Sequence, residues 1–431
     1  MGKPGDIPPI PARYGRHLLA WVVVPTLAVI LLLALGVGYV AQPQRASELL
    51  LDRIGKSLGL RITAAGPNEY RLRGTPQLVL RNVVAQRPGD PTALLRAERV
   101  LVSLPWSTLR ARGTDLTAQR VELDAPVLDL AALQRWQATR PPSATRIPTL
   151  RDGLHVTRGR IVAVGWTIDG IDLALSSLAS GQPLRAQLRG RFIDGPSRVP
   201  FDLVVAMTAP ATGAGISANG VIEIQGQDWS LPGQLHLSGP LQLDDGDLRM
   251  APARIGFSGR YQSATSRVPL VLGAAGPLQF ADGVWALDPA SLVLRGAGMV
   301  PETRASGALA LGRRLELRID GMVARWPDAW PALPPPLSAS TSPLAFALDY
   351  AGKLDFSEIA DLRLRREQTS FDTRFRLPQV MQWLDADGTD SPLPPLDGQL
   401  RTPRLDIAGA QLDGVELDLD DPAIAPTPAM P

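Results

Sequence analysis

The chain has 431 residues, of which 44 are Lys or Arg, 42 are Asp or Glu and none is Cys. The formal charge of +2 is too small to identify a nucleic-acid-binding protein, and the lack of cysteine excludes disulfides, thiolate metal sites and cysteine nucleophiles. The 40 glycines and 41 prolines interrupt long helices and favour many short strands joined by turns.

The first predicted element is a long apolar helix at residues 18–41, which contain no charged side chain. At 1.5 Å per residue this helix is roughly 36 Å long, enough to cross a membrane with some tilt. Leu18 begins it, Trp21 and Tyr39 lie near its ends, where aromatic rings favour the membrane interface, and Pro25 is tolerated inside it. We predict an uncleaved anchor in preference to a cleaved signal peptide or a buried core helix.

The residues around the anchor do not orient it, because residues 1–17 and the segment after the anchor carry equal numbers of basic side chains close to it. Residues 42–58 are predicted to form an amphipathic helix, with Leu50, Ile54 and Leu58 near one face. This helix either packs on the first strands or lies on the membrane surface.

From residue 59 onward, apolar and polar side chains alternate with a period of two, which predicts strands with one apolar and one wet face. Turn dipeptides that end in glycine recur between these stretches, and their spacing predicts roughly 25 to 30 strands. The predicted turns centre on Gly74, Gly153, Gly170, Gly246, Gly283, Gly321 and Gly414. The positions predicted to line a shared apolar face are Val100, Val102, Leu104, Val121, Leu123, Leu128, Leu130, Leu315, Leu317 and Ile319.

Proline-rich stretches divide the predicted β region, and a short helix is predicted at residues 379–386. The predicted segments are a first β region at 59–139, a linker at 140–150, a central β region at 151–325, a proline-rich loop at 326–343, a last β region at 344–421 and a tail at 422–431.

Catalytic and metal-binding signatures are missing from the sequence. His17, His155 and His236 are isolated, and no nucleophile elbow, zinc-binding pair or phosphate-binding loop occurs. Residues 385–390 loosely resemble a calcium-binding loop, but its twelfth position is Leu396 instead of glutamate. We therefore predict no enzyme activity, no catalytic residue, no metal ligand and no cofactor.

The order of several short motifs carries a family resemblance. LRNV at 80–83 is followed by LRAERV at 95–100 and VELDAPVLDL at 121–130; FRLPQVMQWL at 375–384 then precedes PPLDGQLRTPRLDIAGAQLDGVELDL at 394–419. This order resembles the AsmA family of Gram-negative envelopes, which is related to the groove-forming, chorein-type lipid transfer proteins. The resemblance implies an elongated, curved antiparallel sheet whose apolar faces coat a groove, with a few short helices.

The same resemblance implies an inner-membrane anchor with a cytoplasmic N-terminus and a periplasmic β domain. The expected function is support of outer-membrane biogenesis by handling or transferring lipids, phospholipid above all, along the groove. The alternative is an envelope scaffold, or an accessory subunit of secretion or outer-membrane protein assembly, with protein partners and two sheets sealed face to face. Neither reading involves nucleic acid.

Overall fold

The computed structural model describes residues 59–421 and 424, apart from 72, 111–116, 140–147, 227, 245–246, 265, 282, 328, 331–337, 339, 341, 386–393 and 408–409. The predicted anchor at 18–41, with Leu18, Trp21, Pro25 and Tyr39, and the predicted helix at 42–58 both lie outside these residues. None of the helices described is long and apolar enough to cross a membrane.

The chain is mainly β, as predicted, with 24 strands and three short helices in the described residues. The first twelve strands are β1 Arg61–Ala64, β2 Glu69–Arg71, β3 Gln77–Gln86, β4 Ala93–Ser103, β5 Thr117–Ala118, β6 Arg120–Asp124, β7 Val127–Asp129, β8 Thr149–Leu150, β9 Leu154–Val162, β10 Thr167–Leu175, β11 Leu184–Asp194 and β12 Ser197–Met207. The other twelve are β13 Ala214–Gln225, β14 Ser230–Asp244, β15 Asp247–Gln262, β16 Arg267–Ala281, β17 Val284–Gly296, β18 Glu302–Leu311, β19 Leu315–Arg325, β20 Leu344–Gly352, β21 Ala360–Arg366, β22 Thr369–Phe375, β23 Leu396–Ile407 and β24 Ala410–Leu419. The helices are α1 Trp106–Arg110, α2 Leu130–Gln137 and α3 Leu377–Asp385.

One curved sheet contains 22 of the strands. From β9 to β24 each strand pairs antiparallel with the next, so this part is a single long meander. Successive connections in a meander alternate between the two long edges of the sheet. We name the edge with the β9–β10 and β11–β12 connections the first rim, and the edge with the β10–β11 and β18–β19 connections the second rim.

The prediction of a wholly antiparallel sheet is wrong at one place, where β6 and β7 both pair in parallel with β9. The small second sheet of β5 and β8 is also parallel. Between β7 and β9 the chain passes through α2 and β8. This long crossover lets β9 run parallel to β7, whereas a short hairpin would make the two strands antiparallel. The alternation of side chains is the same in both cases, so it does not reveal this reversal.

Three of the predicted turns lie between strands. Gly74, Gly153 and Gly283 all have φ close to +80°, a left-handed conformation that glycine adopts without steric cost. Gly74 precedes β3, Gly153 precedes β9 and Gly283 joins β16 to β17.

Three other predicted turns are wrong, because the glycines lie inside strands. Gly170 lies at a register shift within β10, and Gly414 lies within β24 with φ of 65°. Gly321 pairs with Ala305 and Phe346 in the middle of β19. A Cβ atom at Gly321 would lie 2.6 Å from the Ala305 Cβ and 2.8 Å from a ring carbon of Phe346, so glycine here permits close packing of three strands.

The first eleven strands and α2 enclose the largest hydrophobic core of the described residues. The Asp129 side chain accepts a hydrogen bond of 2.7 Å from the Ala132 backbone N–H and so begins α2. Leu133 and Trp136 then project from the helix into the core and are almost completely buried. The helix therefore covers the apolar side of the first part of the sheet.

The curvature of the sheet brings its two rims towards each other. A methyl group at Gly165, in the β9–β10 connection on the first rim, would lie 3.8 Å from the Cα atom of Arg313, in the β18–β19 connection on the second rim. The Leu130 end of α2 lines a cavity of about 440 Å³ together with these two connections. The sheet thus curves enough to bring the β9–β10 connection into contact with the β18–β19 connection, nine strands farther along the meander.

Candidate functional site

An unbroken line of apolar residues crosses the large sheet from one side to the other. It runs through the register pairs of 20 strands, from β2 to β24, with every member on the same face, and we name it the apolar row. Its members are Tyr70, Leu78, Val102, Val121, Leu154, Leu175, Ala186, Val205, Ala218, Leu237, Ile255, Ala274, Leu292, Ala305, Gly321, Phe346, Leu364, Phe371, Leu400 and Leu417.

Packing along this face is continuous as well. Leu184 packs against both the first core and a cluster around Met207, and Ile216 joins that cluster to a third one around Met250. Ile319 joins the third cluster to a fourth around Tyr350. The apolar contacts on this face are therefore continuous from β1 to the strands around Tyr350.

The degree of burial changes along the apolar row. From β3 to β10 its members are buried, whereas Leu237, Ile255 and Phe346 farther along are only half-buried. Leu417 on the last strand is 43% exposed, and Leu272, next to the row on the same face, is 37% exposed. The row thus begins in a closed core and continues as a more open apolar surface, in which Ala218 and Leu292 are the buried members.

The open part extends over the 13 strands from β12 to β24. At about 4.8 Å between neighbouring strands, its 12 spacings span roughly 58 Å. This surface is long enough to cover extended hydrocarbon chains laid across the strands.

The predicted lining residues near the N-terminus all belong to the closed core. Val102 and Val121 lie on the apolar row, Val100 and Leu123 pair with each other beside it, and all four are at most 2% exposed. Leu104, just after β4, is also buried. These side chains contact the protein interior instead of an open surface.

The other two candidates in this part of the chain, Leu128 and Leu130, differ from each other in their surroundings. Leu128 pairs with Leu95 and is buried, as expected of a strand residue with one apolar face. Leu130 was expected on the same strand face, but it is the first residue of α2, because Asp129 starts the helix there. The side chain of Leu130 packs against the first core and lines the cavity between the rims.

The three predicted residues of β19 lie on the more open part of the sheet. Leu317 is buried against Tyr350, and the half-buried Leu315 and Ile319 pack at the same cluster. Sequence reasoning missed most of the open apolar row, including Leu237 and Phe346. Small residues weaken the alternation there: Gly233 and Gly239 lie on the apolar face of β14, and Ala345 and Ala347 lie on the wet face of β20.

The opposite face of the sheet is polar and carries cross-strand ion pairs. The Nε atom of Arg189 lies 2.7 Å from a carboxyl oxygen of Asp202, and the Nε atom of Arg401 lies 3.0 Å from a carboxyl oxygen of Glu416. His236 is also on this wet face, with its Nδ1 atom 2.7 Å from the Asn219 side-chain oxygen. The wet face is thus mostly polar, although it also carries the exposed apolar side chains of Val221, Val271 and Met322.

The contact region of the rims contains one carboxyl group in an unfavourable environment. Asp194 ends β11 on the first rim, and burial raises its pKa above the ordinary value. The charge of Asp355, in the β20–β21 connection on the second rim, raises this pKa further, while Lys353 lowers it. One carboxyl oxygen of Asp194 is buried without a hydrogen-bond partner.

No group of three or more His, Cys, Asp or Glu side chains that could hold a metal ion is found among the described residues. Comparison with known proteins shows no family, no curated protein and no solved structure that matches this chain.

Proposed function

We propose that the chain is an AsmA-like protein of the bacterial envelope that handles or transfers phospholipid along its apolar row. In this proposal residues 18–41 anchor it in the inner membrane with the N-terminus in the cytoplasm, and the β domain lies in the periplasm and supports outer-membrane biogenesis. The observation that carries the proposal is the unbroken apolar row, which leaves its closed core and continues across 13 strands with members that are mostly half-buried, apart from the buried Ala218 and Leu292 and the exposed Leu417.

The free-energy cost of exposing acyl chains to water explains why lipid transfer needs an apolar surface. Removing hydrocarbon from a membrane into water costs about 0.8 kcal/mol per CH₂ group, or roughly 12 kcal/mol for a 16-carbon chain. A dry apolar face offsets most of that cost by covering the chain, and no proton transfer or nucleophile is needed. The proposal therefore includes no catalytic residue, cofactor or metal, and no nucleic-acid partner.

The two parts of the row take different roles in this proposal. The closed core around Val102 and Leu123 serves as a rigid mount next to the anchor. The open part from β12 to β24 covers the acyl chains, while the lipid head group stays near a rim, where polar side chains and water meet it.

A second candidate is an envelope scaffold, or an accessory subunit that acts through protein partners in secretion or outer-membrane protein assembly. The dense packing of the first core favours it, because a scaffold needs only a sealed interior. The exposure of Leu272 and Leu417 on the same face favours the lipid proposal instead, because a sealed sandwich would cover them.

Mass spectrometry of lipids that copurify with the detergent-extracted full chain tests the proposal. We expect phospholipid with the wild type, and clearly less with Leu272→Asp, which places a charge on the open apolar face. Ser291→Asp is the matched control, because Ser291 is exposed on the opposite, wet face and lies outside the open apolar surface. Equal phospholipid in all three proteins, or none in the wild type, would favour the scaffold.

A further inference from the structure

The wet face of the sheet carries an uneven charge near the first rim. Six exposed arginines lie there at the rim ends of β15 to β21, and we name them the arginine strip: Arg260, Arg267, Arg295, Arg304, Arg325 and Arg365. Among the described residues, the same stretch of rim contains two carboxylates, Glu302 and Glu367. The local balance is therefore strongly positive, although the whole chain is nearly neutral.

Both carboxylates are already engaged. Glu302 is 3.4 Å from Arg295, and Glu367 accepts hydrogen bonds from the hydroxyl groups of Ser340 and Ser342. Arg295 is the one member of the strip with an ion-pair partner within the described part of the chain. The other five guanidinium groups are available to an external anion.

The strip surrounds two depressions in the sheet surface. The smaller one, of about 590 Å³, lies between Arg260 and Arg295, and the exposed side chain of Val271 forms part of its floor. The larger one, of about 890 Å³, is crossed by a register row that reads Arg304, Met322, Ala345, Arg365. Arginines thus flank an exposed apolar side chain in both places, and the lining of the larger depression also includes Ser306 and the carboxylates of Glu302 and Asp320.

Two properties of this floor suggest the kind of partner. Val271 is 53% exposed and Met322 is 54% exposed, so each presents an apolar side chain between arginines. Guanidinium groups form paired hydrogen bonds with phosphate oxygens, and apolar side chains among them favour contact with the boundary between head groups and acyl chains. A nucleic acid or an acidic protein segment would use the arginines but would leave the apolar side chains in water.

We propose that the arginine strip docks the first rim on a membrane surface rich in anionic phospholipid. Head-group phosphates pair with the arginines at the edges of the two depressions, and the adjoining apolar part of the lipid enters the depressions and contacts Val271 and Met322. This docking needs no lipid on the apolar row, so it is independent of the proposed function; together the two would bring one rim of the open surface to a source of lipid.

The test measures vesicle capture by the full chain held in a neutral phosphatidylcholine nanodisc. We expect capture of vesicles that contain phosphatidylglycerol, weaker capture at high salt, and little capture of pure phosphatidylcholine vesicles. Arg304→Glu with Arg365→Glu should reduce capture by roughly 25-fold or more, because each basic side chain near an anionic surface contributes about fivefold. Thermal melting verifies that the variant is folded.

The matched control is Arg185→Glu with Arg249→Glu. These arginines are exposed on the same wet face but lie near the second rim, and the change in net charge is identical. Capture by this control should stay within about twofold of the wild type if the strip is the docking site. Equal losses in the two double variants, or no loss in either, would overturn the proposal.

The variant Met322→Ser distinguishes docking on a membrane from binding of a soluble polyanion. It should weaken vesicle capture while leaving binding of heparin, used as a soluble polyanion, unchanged. If Met322→Ser leaves vesicle capture unchanged, and heparin binds tightly and depends on Arg304 and Arg365, the strip is a polyanion site and the membrane proposal is wrong. Copurifying phospholipid is measured on the same proteins, so failure of docking is distinguishable from failure of lipid binding.

Discussion

At the residue scale, the clearest difference lies between Leu123 and Leu272. Both belong to one register row on the apolar face, but Leu123 is 2% exposed in the closed core and Leu272 is 37% exposed on the open part. An unpaired carboxylate in a closed core is among the costliest substitutions. We expect Leu123→Asp to lower the free energy of unfolding by more than about 4 kcal/mol, and Leu272→Asp by about 1 kcal/mol or less.

Urea unfolding of the two variants checks this difference. Ser291→Asp, on the wet face of β17, controls for the added charge alone. Similar large losses for Leu123→Asp and Leu272→Asp would mean that the apolar face is sealed over its whole length.

Glycine supplies a second prediction at this scale. A Cβ atom at Gly321 would lie 2.6 Å from both the Ala305 Cβ and the Arg304 carbonyl oxygen, whereas a Cβ atom at Gly273 would meet nothing within 4 Å. Gly321→Ala should therefore lower the free energy of unfolding by about 1–3 kcal/mol through overpacking. Gly273→Ala should be neutral or slightly stabilising, because alanine restricts the unfolded chain. Thermal melting measures both, and equal stability of the two variants would contradict the close packing at Gly321.

At the element scale, the contact between the rims predicts a pH dependence. Burial and the charge of Asp355 raise the pKa of Asp194 in the folded state, so its neutral form is favoured there. The contribution of Asp194 to the free energy of unfolding is fully present below the pKa of an unfolded aspartate, about 3.9. It is lost as the pH rises through the higher pKa that Asp194 has in the folded protein. Asp194→Asn should therefore raise the melting temperature at pH 7 and change it little at pH 3.

Asp202→Asn gives the opposite sign. Hydrogen bonds from Gln187 and Arg189 lower the pKa of Asp202, so its charged form stabilises the fold at neutral pH. This variant should be less stable than the wild type at pH 7, and the difference should shrink as the pH falls below the ordinary pKa of aspartate towards the lower pKa of Asp202 in the folded state. If Asp194→Asn destabilised the protein at pH 7, the rims would not confine that carboxyl group as described.

The strands and helices could be predicted from the sequence only in part. Alternation of side chains predicted the strands around Val121 and Leu317 correctly, because a period of two is a local property. The helix predicted at 379–386 is present at Leu377–Asp385. The helix α2 was missed, although Asp129 is a good N-cap, because Leu128 and Leu130 continue the strand pattern into it.

Burial at the candidate site could not be predicted in the same way. Val102 and Leu237 both lie on the apolar row, but α2 and neighbouring strands cover the first, and the second stays half-buried. That difference depends on elements distant in the sequence, which the local pattern does not encode. The resemblance to a groove-forming family suggested an open apolar face but not the strand at which it opens.

At the scale of the whole molecule, the central claim is that the open part of the apolar row covers lipid. The two faces of one strand provide the control, since His236 and Leu237 differ by one residue and point to opposite sides of β14. Arg254 and Ile255 give the same comparison on β15.

The most direct measurement places a photo-crosslinking residue at each of these four positions in cells that express the full chain. After irradiation, mass spectrometry identifies what is attached to each position. We predict phospholipid adducts at positions 237 and 255 and few or none at positions 236 and 254. Adducts to protein in place of lipid at 237 and 255, or equal lipid labelling on both faces, would contradict the account.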